Sequence, residues 1–304
     1  MFKNILVPLD GSELAEEALS IATKFVETNN AQLYILRVVE VETLGVVPMH
    51  PYEVRLPLHT ATEKWEQSRA YVEHKAQRYA VADRPIIPLI KRGSPAETIL
   101  TIAEDYEIDL IIMSTHGRSG LTRWALGSVT ERVLRHATCP VMTIRSAQTI
   151  KKILVTLDGS ELAESVILPT LAIAKVLGAE VTLLRVDEVH TPDFAAVAVL
   201  EQVEHGMGEN MVLAEYREAQ DYVQQLVQRY SIEGVRLHAA IADGHVAKGI
   251  LGFANDGDFD MIAMSTHGRS GIRRWVYGSI AEKVLRAYTG AMLVLRPDVE
   301  NKIK

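Results

Sequence analysis

Half of this chain is written twice. KNILVPLDGSELAEEAL at residues 3–19 returns as KKILVTLDGSELAESVI at 151–167, and LYILRVVEV at 33–41 returns as VTLLRVDEV at 181–189. IDLIIMSTHGRSGLTRWALGSVTERVLRHA at 108–137 returns as FDMIAMSTHGRSGIRRWVYGSIAEKVLRAY at 259–288. The first two pairs stand 148 residues apart and the third 151. That period is too long for a stacked solenoid repeat. It is long enough for a separate core, since a domain of about 150 residues hides roughly 70% of its unfolded surface. The chain is therefore expected to hold two copies of one domain, 1–147 and 151–304, with the boundary near Ser146–Ile150.

Each copy reads as alternating strands and helices. In the first, the run Ile5–Leu9 meets the turn Asp10-Gly11. A helix follows, with Ser12 as N-cap and Leu14, Ala18, Ile21, Ala22 and Phe25 on one face. Strands are expected at Leu33–Val39, Ile86–Lys91, Leu110–Ser114 and Val141–Arg145, and helices near Glu63–Tyr79 and Val129–His136. Between the third and fourth strands, Ser94-Pro95-Ala96-Glu97 reads as a helix start with a capping box. Runs such as LIIM and MIAM are apolar at every position, as strands buried on both faces must be. The expected fold is α/β: two tandem, doubly wound, Rossmann-like domains, each on a parallel sheet. Such sheets bind ligands beyond the carboxyl ends of their strands, at a switch point in strand order. Asp10, Val38 and Ser114 all fall at expected carboxyl ends.

The loop after the fourth strand of each copy suits an anion. Ser114-Thr115-His116-Gly117 is followed, nine residues on, by Gly127-Ser128; the copy is Ser265-Thr266-His267-Gly268 and Gly278-Ser279. Glycines let backbone N–H groups approach an anion, and a helix start adds free donors and the positive end of the helix dipole. The same residues also have a purely structural reading. Ser128-Val129-Thr130-Glu131 and Ser279-Ile280-Ala281-Glu282 are both capping boxes by pattern. Asp10 and Asp158 have two readings as well: an Asx-type turn into the helix, or an acceptor for a sugar or base lying across the strand ends.

Other chemistries lack their signatures. There is no G-x-x-x-x-G-K-[ST] phosphate loop, no G-x-G-x-x-G after the first strand and no G-x-S-x-G nucleophile elbow. One carboxylate per copy does not make an acid/base pair, so no catalytic residue is assigned. His116 and His267 read as loop-ordering residues. His50, His59, His190 and His205 stand at no metal-ligand spacing, and Cys139 is the only cysteine, so no metal site is expected. A net charge of −7 argues against nucleic acid as partner. MFKNILVPLDGS reads as a strand and turn rather than a signal peptide, and VILPTLAIAKVLGAEVTLL at 166–184 is broken by Lys175 and Glu180. A cytoplasmic protein without a membrane span is expected.

These residues resemble the universal stress protein family in its tandem form, over essentially the whole chain. The opening strand with its Asp, the strand pair ending Arg37-Val38 and Arg185-Val186, and LGSVTERVLRHATCPVMTIR carry the resemblance. Family members that bind ATP carry G-x-x-G, nine residues, G-[ST]. Here the first glycine is replaced by Ser114 and Ser265, which adds a Cβ where backbone and ligand approach. The resemblance implies that Asp10 and Asp158 face the base and ribose, that Val38 and Val186 hold adenine through their backbones, and that Met113 and Met264 line the pocket. Gly117, Gly127, Ser128 and Val129 would meet the phosphates, as would Gly268, Gly278, Ser279 and Ile280. It also implies five-stranded sheets whose last strands, Val141–Arg145 and Met292–Arg296, pair antiparallel between the domains, and a possible homodimer.

Three functions fit this reading. The first is a stress-response module that binds ATP, with or without Mg2+, in one or both domains and hydrolyses little or none. The second is a weak metal-dependent ATP hydrolase or phosphoryl transferase. The third is a chaperone-like scaffold with vestigial loops, working through the divergent segments 43–82 and 189–230.

Overall fold

The computed structural model describes residues 2–40, 58–81, 84–115, 126–145, 149–187, 207–266 and 278–296. The chain divides into two compact units, Phe2–Ile144 and Arg145–Lys304.

The first unit runs β1 (Asn4–Pro8), α1 (Glu13–Asn29), β2 (Gln32–Val39), α2 (Leu58–Arg78), β3 (Ile87–Arg92), α3 (Pro95–Asp105), β4 (Leu110–Ser114), α4 (Ser128–His136) and β5 (Val141–Ile144). Its strands lie in the order β3-β2-β1-β4-β5, and every pairing is parallel. The chain steps outward from β1 to β3, then returns to the other side of β1 for β4 and β5. The order therefore reverses between β1 and β4, which opens a crevice at their carboxyl ends.

Composition explains the layers. Ile5, Leu6 and Val7 on β1 and Leu110, Ile111 and Ile112 on β4 are fully buried, so consecutive residues on both faces of the sheet are covered. α1 supplies part of that cover through Ala15, Ala18, Leu19, Ile21, Ala22, Phe25 and Val26, while Leu14 is only half-buried. The edge strand β3 is half-exposed and carries Pro88, Lys91 and Arg92, residues suited to an edge that must not pair further. At the amino edge, Asp109 accepts the Lys3 and Asn4 backbone N–H groups at 2.7 and 3.2 Å.

The second unit repeats the plan: β6 (Lys152–Leu157), α5 (Glu161–Glu164), α6 (Ile167–Leu177), β7 (Glu180–Asp187), α7 (Met207–Tyr230), β8 (Leu237–Asp243), α8 (Val246–Asp256), β9 (Met261–Ser265), α9 (Ser279–Ala287) and β10 (Ala291–Leu295). Its order is β8-β7-β6-β9-β10, again parallel throughout. Asp260 repeats the amino-edge staple on the Lys151 and Lys152 N–H groups at 2.7 and 2.9 Å.

Two local expectations are corrected. Ser94 does cap α3 by position and Pro95 opens the helix, but the Ser94 side chain makes no capping bond. Glu97 does not reach back to close a box; it pairs with Arg132 at 2.6 Å, tying α3 to α4. The helix after the first strand is continuous in the first unit and broken in the second. Pro169 has no N–H to give a preceding turn, so the chain interrupts at Ser165–Val166 and Pro169 falls in the first turn of α6.

Candidate functional site

The crevice begins where β1 ends. Asp10 Oδ1 accepts the Ser12 backbone N–H at 2.9 Å and the Ser12 hydroxyl at 2.7 Å. Ser12 Oγ then accepts the Ala15 N–H at 3.2 Å, capping α1. Gly11 between them has φ +86°, a conformation that glycine takes without strain. The Asx-type turn is thus built, and it uses one carboxylate oxygen of Asp10. The second unit repeats it with Asp158, Gly159 and Ser160, at 3.0 Å to the N–H and 2.6 Å to the hydroxyl.

β2 contributes Arg37 and Val38. Arg37 Nη1 donates to the Leu9 carbonyl at 3.0 Å, closing the end of β1 with a cation. At the end of β4, Met113, Ser114 and Thr115 are buried. The Thr115 carbonyl accepts the Gly127 N–H at 2.8 Å, and the Ser114 carbonyl accepts the Thr130 hydroxyl at 2.9 Å. These bonds pin the start of α4 to the strand. A Cβ at Gly127 would lie 2.8 Å from the Thr115 oxygen, so close approach of two backbones requires glycine there. At Gly278 the same N–H···O bond to Thr266 is 2.8 Å, and a Cβ would lie 3.2 Å from that oxygen.

This pinning overturns the capping-box reading. Gly127 and Gly278 are the N-caps, and Ser128 and Ser279 are the first helical residues. Neither N-cap has a side chain to give, and Glu131 and Glu282 bond forward to Arg135 and Arg286 at 2.6 and 3.1 Å. Among the described residues, the Glu131 N–H is the first of α4 to reach an acceptor, the Gly127 carbonyl at 2.9 Å. The N–H groups of Ser128, Val129 and Thr130 have no protein acceptor among the described residues. Among the described residues they form a helix end without acceptors, positively polarised by the helix dipole.

One cavity of about 810 Å³ collects these parts in the first unit. Asp10, Val38, Met113, Ser114, Gly127, Ser128 and Val129 all line it, so seven of the eight residues singled out in this half by sequence come together. The eighth, Gly117, lies outside the described residues, as do Gly268, His116 and His267. The volume falls within the range of small-molecule sites, about 300–1,000 Å³. In the second unit Asp158, Val186, Met264, Ser265, Gly278, Ser279 and Ile280 occupy the same places in chain and sheet, at the ends of β6, β7 and β9 and the start of α9.

The sequence reading misses the wall supplied by α2. Lys64, Gln67, Ser68 and Tyr71 line the cavity. Tyr71 donates its hydroxyl to Glu16 Oε1 at 3.1 Å, and burial together with that carboxylate raises the phenol well above its ordinary range. Tyr222 does the same with Glu164 at 3.0 Å, beneath the Arg185 guanidinium 5.2 Å from its ring centre. A signal exists in the sequence: Tyr71-Val72 and Gln77-Arg78-Tyr79 return as Tyr222-Val223 and Gln228-Arg229-Tyr230, at the same 151-residue offset as the third block. Among the described residues no three His, Cys, Asp or Glu side chains converge as a metal site would need, and no helix is long and apolar enough to cross a membrane.

Comparisons with known proteins agree on one family. The profile of the universal stress protein family matches residues 1–145 and again 149–296. A universal stress protein of Methanocaldococcus jannaschii is 32% identical over 145 residues, 48% of this chain and 83% of that protein. A Staphylococcus haemolyticus relative is 32% identical over 153 residues, 48% of this chain and 87% of its own length. Among solved structures, a universal stress protein of Archaeoglobus fulgidus covers 97% of this chain and 98% of its own, with TM-score 0.66 and 21% identity. A Pseudomonas aeruginosa protein covers 98% and 95%, with TM-score 0.66 and 20% identity.

Proposed function

From a chain that belongs to the universal stress protein family, we propose a protein that binds adenine nucleotide, ATP in the first instance, at the carboxyl ends of its strands and acts as a binding and signalling module. The observation that carries this reading is the cavity of the first unit. There, three N–H groups of α4 without an acceptor among the described residues share a space with Asp10 and the apolar side chains of Val38 and Met113. A polyphosphate suits the helix start, because its oxygens accept those donors and its charge meets the positive end of the dipole. A flat base suits the apolar wall, with backbone groups near Val38 as its polar partners. The second oxygen of Asp10 suits a ribose hydroxyl; Oδ2 takes no hydrogen bond among the described residues, Oδ1 being used by Ser12.

Among the described residues the cavity offers phosphate donors, and its two carboxylates, Asp10 and Glu40, are joined by no third metal-ligating side chain, which favours binding over turnover. Calorimetry with magnesium-free ATP and with Mg-ATP tests the proposal, alongside a thermal-shift series. Saturable heat and a raised melting temperature are expected. No heat and no shift at millimolar nucleotide would sink it. Rapid, stoichiometric release of phosphate abolished by Asp10→Ala together with Asp158→Ala would replace it with the hydrolase reading.

A further inference from the structure

In sequence, the two halves differ in charge at matching positions of the helix that follows the second strand. In the first, Lys64, Gln67, Ser68 and Tyr71 of α2 line the cavity, spaced as one stripe of a helix. The matching stripe of α7 is fixed by its tyrosine: Tyr71 and Tyr222 make the same bond, to Glu16 and Glu164. The next residues, Val72 and Val223, are both buried. With Tyr71 matched to Tyr222, Lys64 falls on Glu215, Gln67 on Glu218 and Ser68 on Ala219. At the 148-residue offset of the second repeated block, Val39 and Glu40 match Asp187 and Glu188 in sequence. Around the first cavity Lys64 and Arg37 offset Asp10 and Glu40. In the sequence of the second half, the same positions carry one cation, Arg185, against Asp158, Asp187, Glu188, Glu215 and Glu218.

We propose that this stripe decides which half takes a polyphosphate: the chain binds one nucleoside triphosphate, in the first half, with Lys64 as a specificity-determining cation, and the acidic positions of the second half reject a second. The proposal rests on the nucleotide reading of the cavity and adds the site of occupancy and its electrostatic cause. A triphosphate is a polyanion, and each unit charge that faces it across a partly solvated cleft shifts affinity by about tenfold. Nucleosides without phosphate escape the discrimination, because the stripe acts on charge.

Calorimetry on the full chain with magnesium-free ATP, and with adenosine as the uncharged probe, tests this. One ATP per chain is expected. Lys64→Glu, at an exposed position, should weaken ATP by about a hundredfold and adenosine by less than about twofold. Glu215→Lys combined with Glu218→Gln should add a second equivalent of ATP. Two equivalents bound by the unaltered chain would overturn the proposal and leave the nucleotide reading standing, whereas no ATP bound at all would overturn both. Equal losses of ATP and adenosine in Lys64→Glu, or one equivalent that this change leaves untouched, would also overturn it.

Discussion

The two halves agree most closely where backbone meets backbone and differ where side chains choose a partner. The Asp-Gly-Ser turn repeats to within 0.1 Å in its hydrogen bonds, as does the N–H···O bond that closes the loop ahead of α4 and α9. The support behind that frame has diverged. In the first half Glu16 accepts from Tyr71 and pairs at 2.5 Å with Lys75, a buried lysine. The position of Lys75 is taken in the second half by buried Leu226, and Glu164 instead meets Arg229 at 3.6 Å, on a side chain 66% exposed. Both tyrosines bond a glutamate, but the first half backs that acceptor with a partly buried Lys75–Glu16 pair where the second has buried Leu226. A buried ion pair is costly to break but adds little over a good apolar contact. Duplicate domains can therefore exchange one for the other without altering the strand ends.

This contrast gives the largest expected effect. Glu16→Ala strands the Lys75 ammonium in the core and should destabilise the first half by about 3 kcal/mol. Glu164→Ala removes the tyrosine's acceptor and a weak, solvated ion pair, and should cost about 1 kcal/mol. Urea unfolding of each variant checks the pair. Equal losses would mean that Lys75 finds another partner or water, and the contrast between the halves would fall. The double change Glu16→Ala with Lys75→Leu, which imports the apolar packing of the second half, should recover most of the loss.

The glycine caps come next. Gly127→Ala drives a Cβ to 2.8 Å from a backbone oxygen, which must move the helix start or the strand end, at about 2 kcal/mol. Gly278→Ala meets its oxygen at 3.2 Å and needs a shift of only a few tenths of an ångström, at less than about 1 kcal/mol. In the first half the displaced N–H groups are the ones that the nucleotide proposal assigns to phosphate. Gly127→Ala should therefore lose ATP binding along with stability, and calorimetry beside melting curves reads both.

A smaller difference lies one turn into the same helices. Thr130 donates to the Ser114 carbonyl, whereas its counterpart is Ala281, buried and without a hydroxyl. Thr130→Ala should cost about 1 kcal/mol, the worth of one buried hydrogen bond plus a small loss of packing. A change below a few tenths in urea unfolding would show that the bond adds nothing to the junction.

Most of the architecture is legible in the sequence because burial on both faces of a parallel sheet forces continuous apolar runs. Leu110–Ser114 is legible to the residue, and strand ends elsewhere differ by at most one. The duplication doubles each signal. Errors fall where a local pattern competes with a tertiary bond. Ser128-Val129-Thr130-Glu131 has the letters of a capping box, but the Gly127 N–H is drawn to Thr115 and sets the cap one residue earlier. Glu97 has the letters of another, but Arg132 on a neighbouring helix holds it. Tyr71 escapes notice because it sits in a helix with few matches to its copy. What repeats around it are two short runs, Tyr71-Val72 and Gln77-Arg78-Tyr79, and its role shows only through a partner 55 residues away.

The smallest effect at ordinary pH, and the one that separates the halves by a different probe, concerns three tyrosines. Tyr71, Tyr222 and Tyr288 all have phenols raised from the ordinary value, in each case chiefly by burial. Carboxylates add to it: Glu16 beside Tyr71, Glu164 beside Tyr222 and Asp260 near Tyr288. A raised phenol is held neutral by the fold, so its contribution is fully present below the unfolded tyrosine value of about 10 and is lost as pH climbs from there through the folded value. Stability should be flat in this respect from neutral pH to about pH 10 and fall beyond it. Two of the three belong to the second unit, since Tyr288 has Ala137 as its counterpart. Ultraviolet titration should show three of the ten tyrosines ionising last, in step with unfolding. Tyr71→Phe should remove one of them, leave two and soften the alkaline transition of the first half alone. If all ten ionised together near pH 10 while the chain stayed folded, the tyrosine–carboxylate bonds that tie α2 to α1 and α7 to α5 would be absent in solution.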